Sequence, residues 1–341
     1  MITASVKPPA DLSELLPPAL AAALDRLDVH SRKVLLGKLQ GERRSKRRGR
    51  SVEFDDYREY AAGDDLRHID WNVFARMDRF FVKVFQEEED LSVEIALDVS
   101  ASMRAGSPSK AMFAARLAMA LGYIGLVKNN RVSMSVFGGR GPKALVQLAP
   151  SRGRRNIQRI GAFLLEHAFG AAAAADSSAG PTSGTGPPAS QAFTSAMTTL
   201  AQSGRGRGVV FVLTDLLVPP RGGYEAGLGA LGAATASGSL DATLLQVLSP
   251  GEIDPALERE GDDQDQTLVG DLRLTDVETG KAAEVTLTSD LLAVYKKRAA
   301  KYVEQCAAFC RSRGLGHVLT PSNTDLATLI VQTLRQRGVV R

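Results

Sequence analysis

From residue 91 to the end of the chain, short apolar segments alternate with longer segments in which apolar residues recur at helical spacing. The segments 92–99 and 208–214 are short and partly β-branched, which is typical of buried strands. The segments 109–127 and 224–234 place apolar residues three and four positions apart, which is typical of helices. Strands that alternate with helices predict a mostly parallel sheet with helices on both faces, so we expect an α/β fold.

The same pattern divides the chain into two regions. We expect residues 91–341 to form the α/β domain, with a low-complexity loop at 169–188 and an insertion at 251–288 that has the pattern of a β-hairpin. Residues 1–90 precede this domain. They contain an amphipathic helix at 11–29, a basic segment and a β-containing region that we expect to dock onto the domain.

Positive charge is concentrated in one part of the chain. The formal net charge is +4, but residues 31–50 hold nine lysines and arginines against one acid, Glu42. The run 43–50 lacks the interleaved aromatic side chains that stack on bases. We therefore interpret it as a solvated or partner-facing basic segment, with nucleic-acid binding as the less favoured alternative.

The cysteines and the hydropathy pattern indicate a cellular compartment. The chain has two cysteines, Cys306 and Cys310, and no Cys-x-x-Cys pair, a pattern that excludes a zinc ribbon and does not suggest a disulfide framework. The first residues lack the order of a signal peptide. No apolar run approaches the roughly 18 residues needed to span a bilayer. We expect a cytoplasmic protein without a membrane span.

Oxygen-bearing side chains follow two of the predicted strands. Asp98 ends one strand, Ser100 and Ser102 follow it at alternate positions, and Asp215 ends another strand. In open α/β sheets, ligands bind at the carboxyl ends of the strands, and hard cations prefer carboxylate and hydroxyl oxygens. These residues predict a site for Mg²⁺, or for Mn²⁺ or Ca²⁺, completed by Thr185. Thr182 is an alternative to Thr185, and helix capping is the alternative role for the two aspartates.

The sequence Asp-Val-Ser-Ala-Ser-Met at 98–103 resembles the metal-ion-dependent adhesion site of von Willebrand factor A domains. Further motifs resemble the family called domain of unknown function 58, and they lie at 49–54, 57–60, 63–67, 69–71, 75–76, 248–252 and 276–280. This resemblance covers roughly residues 33–320. It implies a von Willebrand A-like fold, a metal held by Asp98, Ser100 and Ser102 with Asp215 as the third motif, and a partnership with a MoxR-type AAA+ ATPase or its client.

The residue types favour binding over catalysis. A haloacid-dehalogenase phosphotransferase would need a second aspartate two residues after Asp98, where this chain has Ser100. The Gly-x-Gly-x-x-Gly match at 227–232 falls inside a predicted helix rather than after a strand, so we interpret it as a packing feature. The Ser-x-x-Lys match at 107–110 lacks its companion motifs, so Lys110 is interpreted as a helix-start lysine. We expect a non-enzymatic, metal-dependent interaction module that binds an acidic group. The alternative is a Mg²⁺-dependent hydrolase of phosphate esters or nucleic acid.

Charged residues crowd around the single tryptophan, Trp71. Aspartates and arginines that flank a tryptophan suit a hydrogen-bonded joint that docks the N-terminal region onto the domain. A second recognition surface is the alternative.

Overall fold

The computed structural model describes residues 8–30, 52–61, 64, 66–87, 91–139, 144–170, 188–203, 208–219, 222–238, 240–257, 270–275 and 282–341. The chain divides into two compact units, one formed by residues 1–39 and 91–341 and the other by residues 40–90. The basic run 43–50 and most of the low-complexity loop at 169–188 lie outside the described residues.

The elements are numbered in chain order. The strands are β1 (Val52–Glu59), β2 (Phe81–Glu87), β3 (Ser92–Asp98), β4 (Arg131–Phe137), β5 (Leu145–Ser151), β6 (Gly208–Thr214), β7 (Leu240–Leu248), β8 (Gly270–Thr275), β9 (Ala282–Leu287) and β10 (Gly316–Pro321). The helices are α1 (Leu12–Leu15), α2 (Pro18–Leu24), α3 (Trp71–Met77), α4 (Lys110–Val127), α5 (Ile157–Phe169), α6 (Ala189–Ser203), α7 (Glu225–Ala236), α8 (Pro250–Ile253), α9 (Ser289–Ser312) and α10 (Leu326–Thr328), which continues as a π-helical segment over Leu329–Leu334.

A six-stranded sheet forms the centre of the larger unit. Its strand order is β10-β7-β6-β3-β4-β5, and every neighbouring pair is parallel except β4 and β5, which are antiparallel. The mostly parallel sheet confirms the sequence-based prediction. Because β3 and β6 are adjacent, the residues that follow their carboxyl ends are brought together at one edge of the sheet.

Both faces of the sheet are covered. Along β6, the side chains of Val209, Phe211 and Leu213 join a core with α4 and α5, whereas Val210 and Val212 join a second core with α6, α7 and α9. Every residue of β6 is buried, which explains the continuous apolar run at 209–213. Full burial of each such side chain contributes roughly 1.5–3 kcal/mol.

The N-terminal helix differs from the prediction. Two short helices, α1 and α2, replace the single helix expected over 11–29, because Pro18 begins a new helix with Pro17 at its N-cap. Leu15 and Leu24 are fully buried in the same core as α4. This apolar packing places residues 8–30 in the larger unit rather than with the region that follows them.

Smaller features complete this unit. The hairpin of β8 and β9 pairs antiparallel, as the pattern at 251–288 predicts. The Gly-x-Gly-x-x-Gly segment lies inside α7, where a side chain at Gly227 would come within 2.9 Å of the Phe193 ring. The interpretation of this motif as a packing feature is therefore confirmed.

Helix α4 is long and apolar enough to cross a membrane, and 78% of it is buried inside the protein.

The unit of residues 40–90 contains the antiparallel pair β1–β2 and helix α3. Asp70 caps α3 by accepting from the amide of Asn72, and it also accepts a hydrogen bond of 2.9 Å from the Tyr57 hydroxyl. Trp71 is 61% exposed and lies edge-on to the rings of Phe74 and Phe80. The docking of this region onto the α/β domain stays a prediction.

Candidate functional site

Asp98 lies at the carboxyl end of β3, with 4% of its surface exposed. Its Oδ1 accepts a hydrogen bond of 2.9 Å from the Ser100 amide. Its Oδ2 accepts a bond of 2.6 Å from the Thr214 hydroxyl, which comes from the end of β6. Both donors are neutral. The carboxylate is therefore oriented by the two central strands, but neither bond supplies a compensating positive charge.

Two hydroxyls stand beside this carboxylate. The Ser100 and Ser102 oxygens are 3.1 Å apart, and a short 3-10 turn begins at Ser102. Gly138, which follows β4, faces them with a φ of +81°, and a Cβ at this position would come within 2.5 Å of Asp98 Oδ1. Glycine is therefore required at position 138, because the backbone is left-handed there and a Cβ would clash with Asp98.

The environment raises the pKa of Asp98 from its ordinary value of 3.8 to about 7. Burial is the main cause, because the ionised form loses its hydration, and the negative charge of Asp215 adds to it. The hydrogen bonds from Thr214 and Ser100 oppose the rise but do not cancel it. The raised pKa therefore reflects the burial of this carboxyl and its position beside a second acid.

Asp215 lies in a different electrostatic environment. Its Oδ2 accepts a hydrogen bond of 3.0 Å from the Lys110 ammonium, and the same ammonium is 2.5 Å from Glu252 Oε1. Lys110 is fully buried, and Asp215 and Glu252 are 1% and 6% exposed. One lysine at the start of α4 therefore forms ion pairs with two carboxylates, one that follows β6 and one that follows β7.

The loop after β7 holds Glu252 in place. Ser249 and Glu252 form a capping box at the start of α8, in which Glu252 Oε2 accepts from the Ser249 amide at 2.8 Å. Gly106, with a φ of +95°, packs against Ser249, and a Cβ at this glycine would come within 2.4 Å of the Ser249 Cβ. The Glu252 carboxylate that faces Lys110 is thus held by the backbone amide of Ser249.

Charge pairing also shifts the pKa values of this cluster. Burial alone would lower the pKa of Lys110, but the charges of Asp215 and Glu252 outweigh it and raise the pKa above its usual value. Burial raises the pKa of Glu252, and the Lys110 charge opposes that rise. The lysine is therefore held in its charged form at neutral pH.

The loop after β6 is constrained by buried hydrogen bonds. Leu216 has a φ of +61°, an unfavourable conformation for a leucine. Its amide donates to the Thr214 hydroxyl at 3.1 Å, and its carbonyl accepts from the Tyr302 hydroxyl at 2.6 Å. The side chain of Gln246 donates to the Asp215 carbonyl at 3.1 Å and pairs with His317 at 2.9 Å. This network fixes the direction of Asp215.

The structure brings together most of the residues that the sequence predicts for the site. Asp98, Ser100 and Ser102 form one group, and Asp215 lies close enough to influence its charge. Thr185 and its alternative Thr182 lie outside the described residues.

Sequence reasoning did not assign three functional positions, namely Thr214, Lys110 and Glu252. Lys110 is the first residue of α4, as its interpretation as a helix-start lysine predicts. The sequence did not predict that Lys110 is buried between two carboxylates. Two signals were available in the sequence: a lysine at the start of a largely apolar helix, and the Ser-x-x-Glu capping pattern at 249–252.

The donor atoms at Asp98 fit a hard cation. A carboxylate and two serine hydroxyls are all-oxygen ligands, and a small divalent ion that retains several waters needs few protein ligands. Within the described part of the chain, no three His, Cys, Asp or Glu side chains are grouped to hold a metal. A site of this composition uses one acid and several hydroxyls, so Asp98, Ser100 and Ser102 are the residues that would hold the ion.

The fold and this edge define a mixed α/β protein with a buried carboxylate–hydroxyl cluster at the carboxyl end of a mostly parallel sheet. The sequence profile of the family described as protein of unknown function DUF58 matches residues 56–250, which is more than half of the chain. The chain therefore belongs to the DUF58 family, and the resemblance noted in the sequence is confirmed at that level.

Curated relatives are distant. The uncharacterized proteins Mb1516 of Mycobacterium bovis and Rv1480 of Mycobacterium tuberculosis are each 30% identical over 158 residues, which is 46% of this chain and 49% of each relative. The chain spans about half the length of the curated relatives it matches.

Proposed function

We propose that this protein is a metal-dependent protein-interaction module that binds an acidic group of its partner through Mg²⁺ or Mn²⁺ held at Asp98, Ser100 and Ser102. One observation carries the proposal. Asp98 is a buried carboxylate that accepts hydrogen bonds from the neutral Ser100 amide and Thr214 hydroxyl, and two serine hydroxyls stand beside it. When bound, a divalent ion would neutralise this carboxylate and retain positive charge for a second anionic ligand.

The side chains around Asp98 support binding rather than catalysis. Hydrolysis requires a positioned base, a nucleophile or a second metal. The Lys110 ammonium is already engaged by Asp215 and Glu252, so its proton is not available for general acid–base chemistry at neutral pH. His317 hydrogen-bonds to Gln246, and burial, followed by the charges of Arg311 and Arg337, lowers its pKa to about 4.

The resemblance to the domain of unknown function 58 family suggests the kind of partner. We propose that the chain acts as a cytoplasmic adaptor for a MoxR-type AAA+ ATPase or for its client. In that role the von Willebrand A-like edge of the sheet would present the metal, and an aspartate or glutamate of the partner would complete its coordination.

The proposal is tested with the full chain, Mn²⁺ and a MoxR-type AAA+ ATPase from the same source. Asp98→Asn removes the charge and keeps the size of the side chain, so we expect Mn²⁺ binding and ATPase capture to fall at least ~10-fold, a loss of about 1.4 kcal/mol. Capture by the unmodified protein should also be lost in EDTA. Free Mn²⁺ is measured by electron paramagnetic resonance and capture by pull-down.

Asp11→Asn is the matched control. Asp11 is an exposed N-cap aspartate of α1, so its replacement removes one negative charge far along the chain from the β3 edge. Binding of Mn²⁺ and of the ATPase should be unchanged in this variant. Equal capture by Asp98→Asn and the unmodified protein would rule out the proposed role of the site.

A further inference from the structure

Lys110 is a buried cation that joins three parts of the fold. It begins α4, and it contacts one carboxylate from the loop after β6 and another from the loop after β7. None of its surface is exposed. A fully buried lysine is rare unless it is paired, and this one has two carboxylate partners at 3.0 and 2.5 Å. The proposed binding of an acidic partner does not by itself use the contacts of Lys110 with these two carboxylates.

Both oxygens of Asp215 are engaged by protein donors. Oδ2 accepts from the Lys110 ammonium, and Oδ1 accepts from the Leu217 amide at 3.0 Å. Direct coordination of a divalent ion by Asp215 would place two cations at one carboxylate. It would also draw Asp215 away from the Lys110 ammonium, which would then rely on Glu252 in a site that water does not reach.

Asp98 differs from Asp215 in this respect. The donors to Asp98 come from Ser100 and from the Thr214 hydroxyl, and all of them are neutral. Neutral donors orient a carboxylate without compensating its charge. Of the two aspartates at this edge, Asp98 therefore gains more from an added cation.

The lysine also moves negative charge away from the proposed ion. Strand β6 separates β7 from β3, and neighbouring strands are roughly 4.8 Å apart. Lys110 is shared by Asp215 and Glu252, so the remaining negative charge of the three-residue cluster is divided between these two carboxylates, and Glu252 follows the more distant strand. An acidic ligand approaching the end of β3 then meets less repulsion.

We propose that Lys110, positioned by Glu252, keeps Asp215 out of direct contact with the metal, so that Asp98 is the only carboxylate bound to the ion and an acidic ligand is favoured. This inference rests on the proposed metal site and adds a specificity-determining pair to it. Lys110 and Glu252 are positioning residues that act through Asp215.

The test uses the double variant Lys110→Met with Glu252→Gln. One positive and one negative charge are removed together, so the net charge of the cluster is unchanged, while Asp215 loses its ammonium partner. We expect Mn²⁺ alone to bind ~5- to 10-fold more tightly, and acetate to bind the Mn²⁺-loaded protein ~5-fold more weakly. The number of waters on Mn²⁺, measured from line broadening in ¹⁷O-enriched water, should fall by about one as Asp215 enters.

Glu252→Gln alone is the matched control, because it keeps the Lys110–Asp215 pair. It should leave the water count unchanged and should not tighten Mn²⁺ binding. A purely structural role for Lys110 predicts instead that the double variant weakens both Mn²⁺ and acetate binding, and this result would overturn the inference.

Asp215→Asn provides an independent test in a variant that keeps Lys110 paired with Glu252. If Asp215 is not a direct ligand, this variant has the same number of waters on Mn²⁺ as the unmodified protein. A gain of one water would overturn the inference and leave the metal site at Asp98 intact. Failure of the unmodified protein to bind Mn²⁺ would overturn both the metal site and the inference.

Discussion

Replacing Lys110 with methionine should destabilise the protein more than replacing either of its partners. Methionine keeps most of the aliphatic volume but leaves Asp215 and Glu252 as neighbouring buried carboxylates without their ammonium. Loss of one partner from a buried ion pair costs about 3–5 kcal/mol. Asp215→Asn should cost only about 1–3 kcal/mol, because Lys110 keeps Glu252 and loses one charged hydrogen bond.

Urea unfolding at pH 7.5, followed by circular dichroism, measures these differences. The Lys110→Met defect should shrink as the pH falls, because burial raises the pKa of Glu252 and the folded variant then protonates it, so the folded state binds more protons than the unfolded chain. Its stability therefore decreases as pH rises. A cost below about 1 kcal/mol for Lys110→Met, or a cost no larger than that of Asp215→Asn, would refute the shared-lysine argument.

Three other substitutions test neighbouring parts of the site. Asp98 ionises at about pH 7 in the fold instead of 3.8, so Asp98→Asn should stabilise the metal-free protein by at most about 4 kcal/mol above pH 7 and by nothing near pH 4, as measured by urea unfolding. In Gly138→Ala the new alanine must adopt a left-handed conformation, and its Cβ would press against Asp98. This variant should therefore bind Mn²⁺ more weakly and lose roughly 1–2 kcal/mol of unfolding free energy. Gly139→Ala is the control and should leave Mn²⁺ binding unchanged. Gln246→Leu leaves the Asp215 carbonyl and His317 without their partner and should lower the free energy of unfolding by about 1–3 kcal/mol.

The sheet could be predicted because its signals are local. Both faces of β6 are buried, so residues 209–213 are all apolar, and most of β7 is apolar for the same reason. The pairing of Asp98 with Ser100 and Ser102 is also local, since five residues contain all three oxygens. The break between α1 and α2 is local as well, but the apolar stripe of 11–29 outweighed the two prolines in the prediction of one helix.

The charge pairing at the site could not be predicted in the same way. Lys110 is 105 residues from Asp215 and 142 residues from Glu252, and no periodicity connects positions so far apart. Thr214 donates to Asp98 across 116 residues, and that bond depends on β3 and β6 being neighbours in the sheet. Sequence patterns give the end of each strand, whereas the order of strands determines which ends meet.

The charges at this edge explain why hydroxyls follow Asp98. Asp98, Asp215 and Glu252 carry two net negative charges with Lys110 when all four are ionised, and little of their surface is exposed. Such an edge lowers its free energy by keeping a proton on one carboxyl or by taking up a cation. Asp215 already shares the lysine, so Asp98 is the carboxyl that keeps the proton, and under the proposed function it is also the one that takes up the cation. A second acid in place of Ser100 would add negative charge beside a carboxylate that already holds its proton to about pH 7, whereas a hydroxyl adds an oxygen without adding charge.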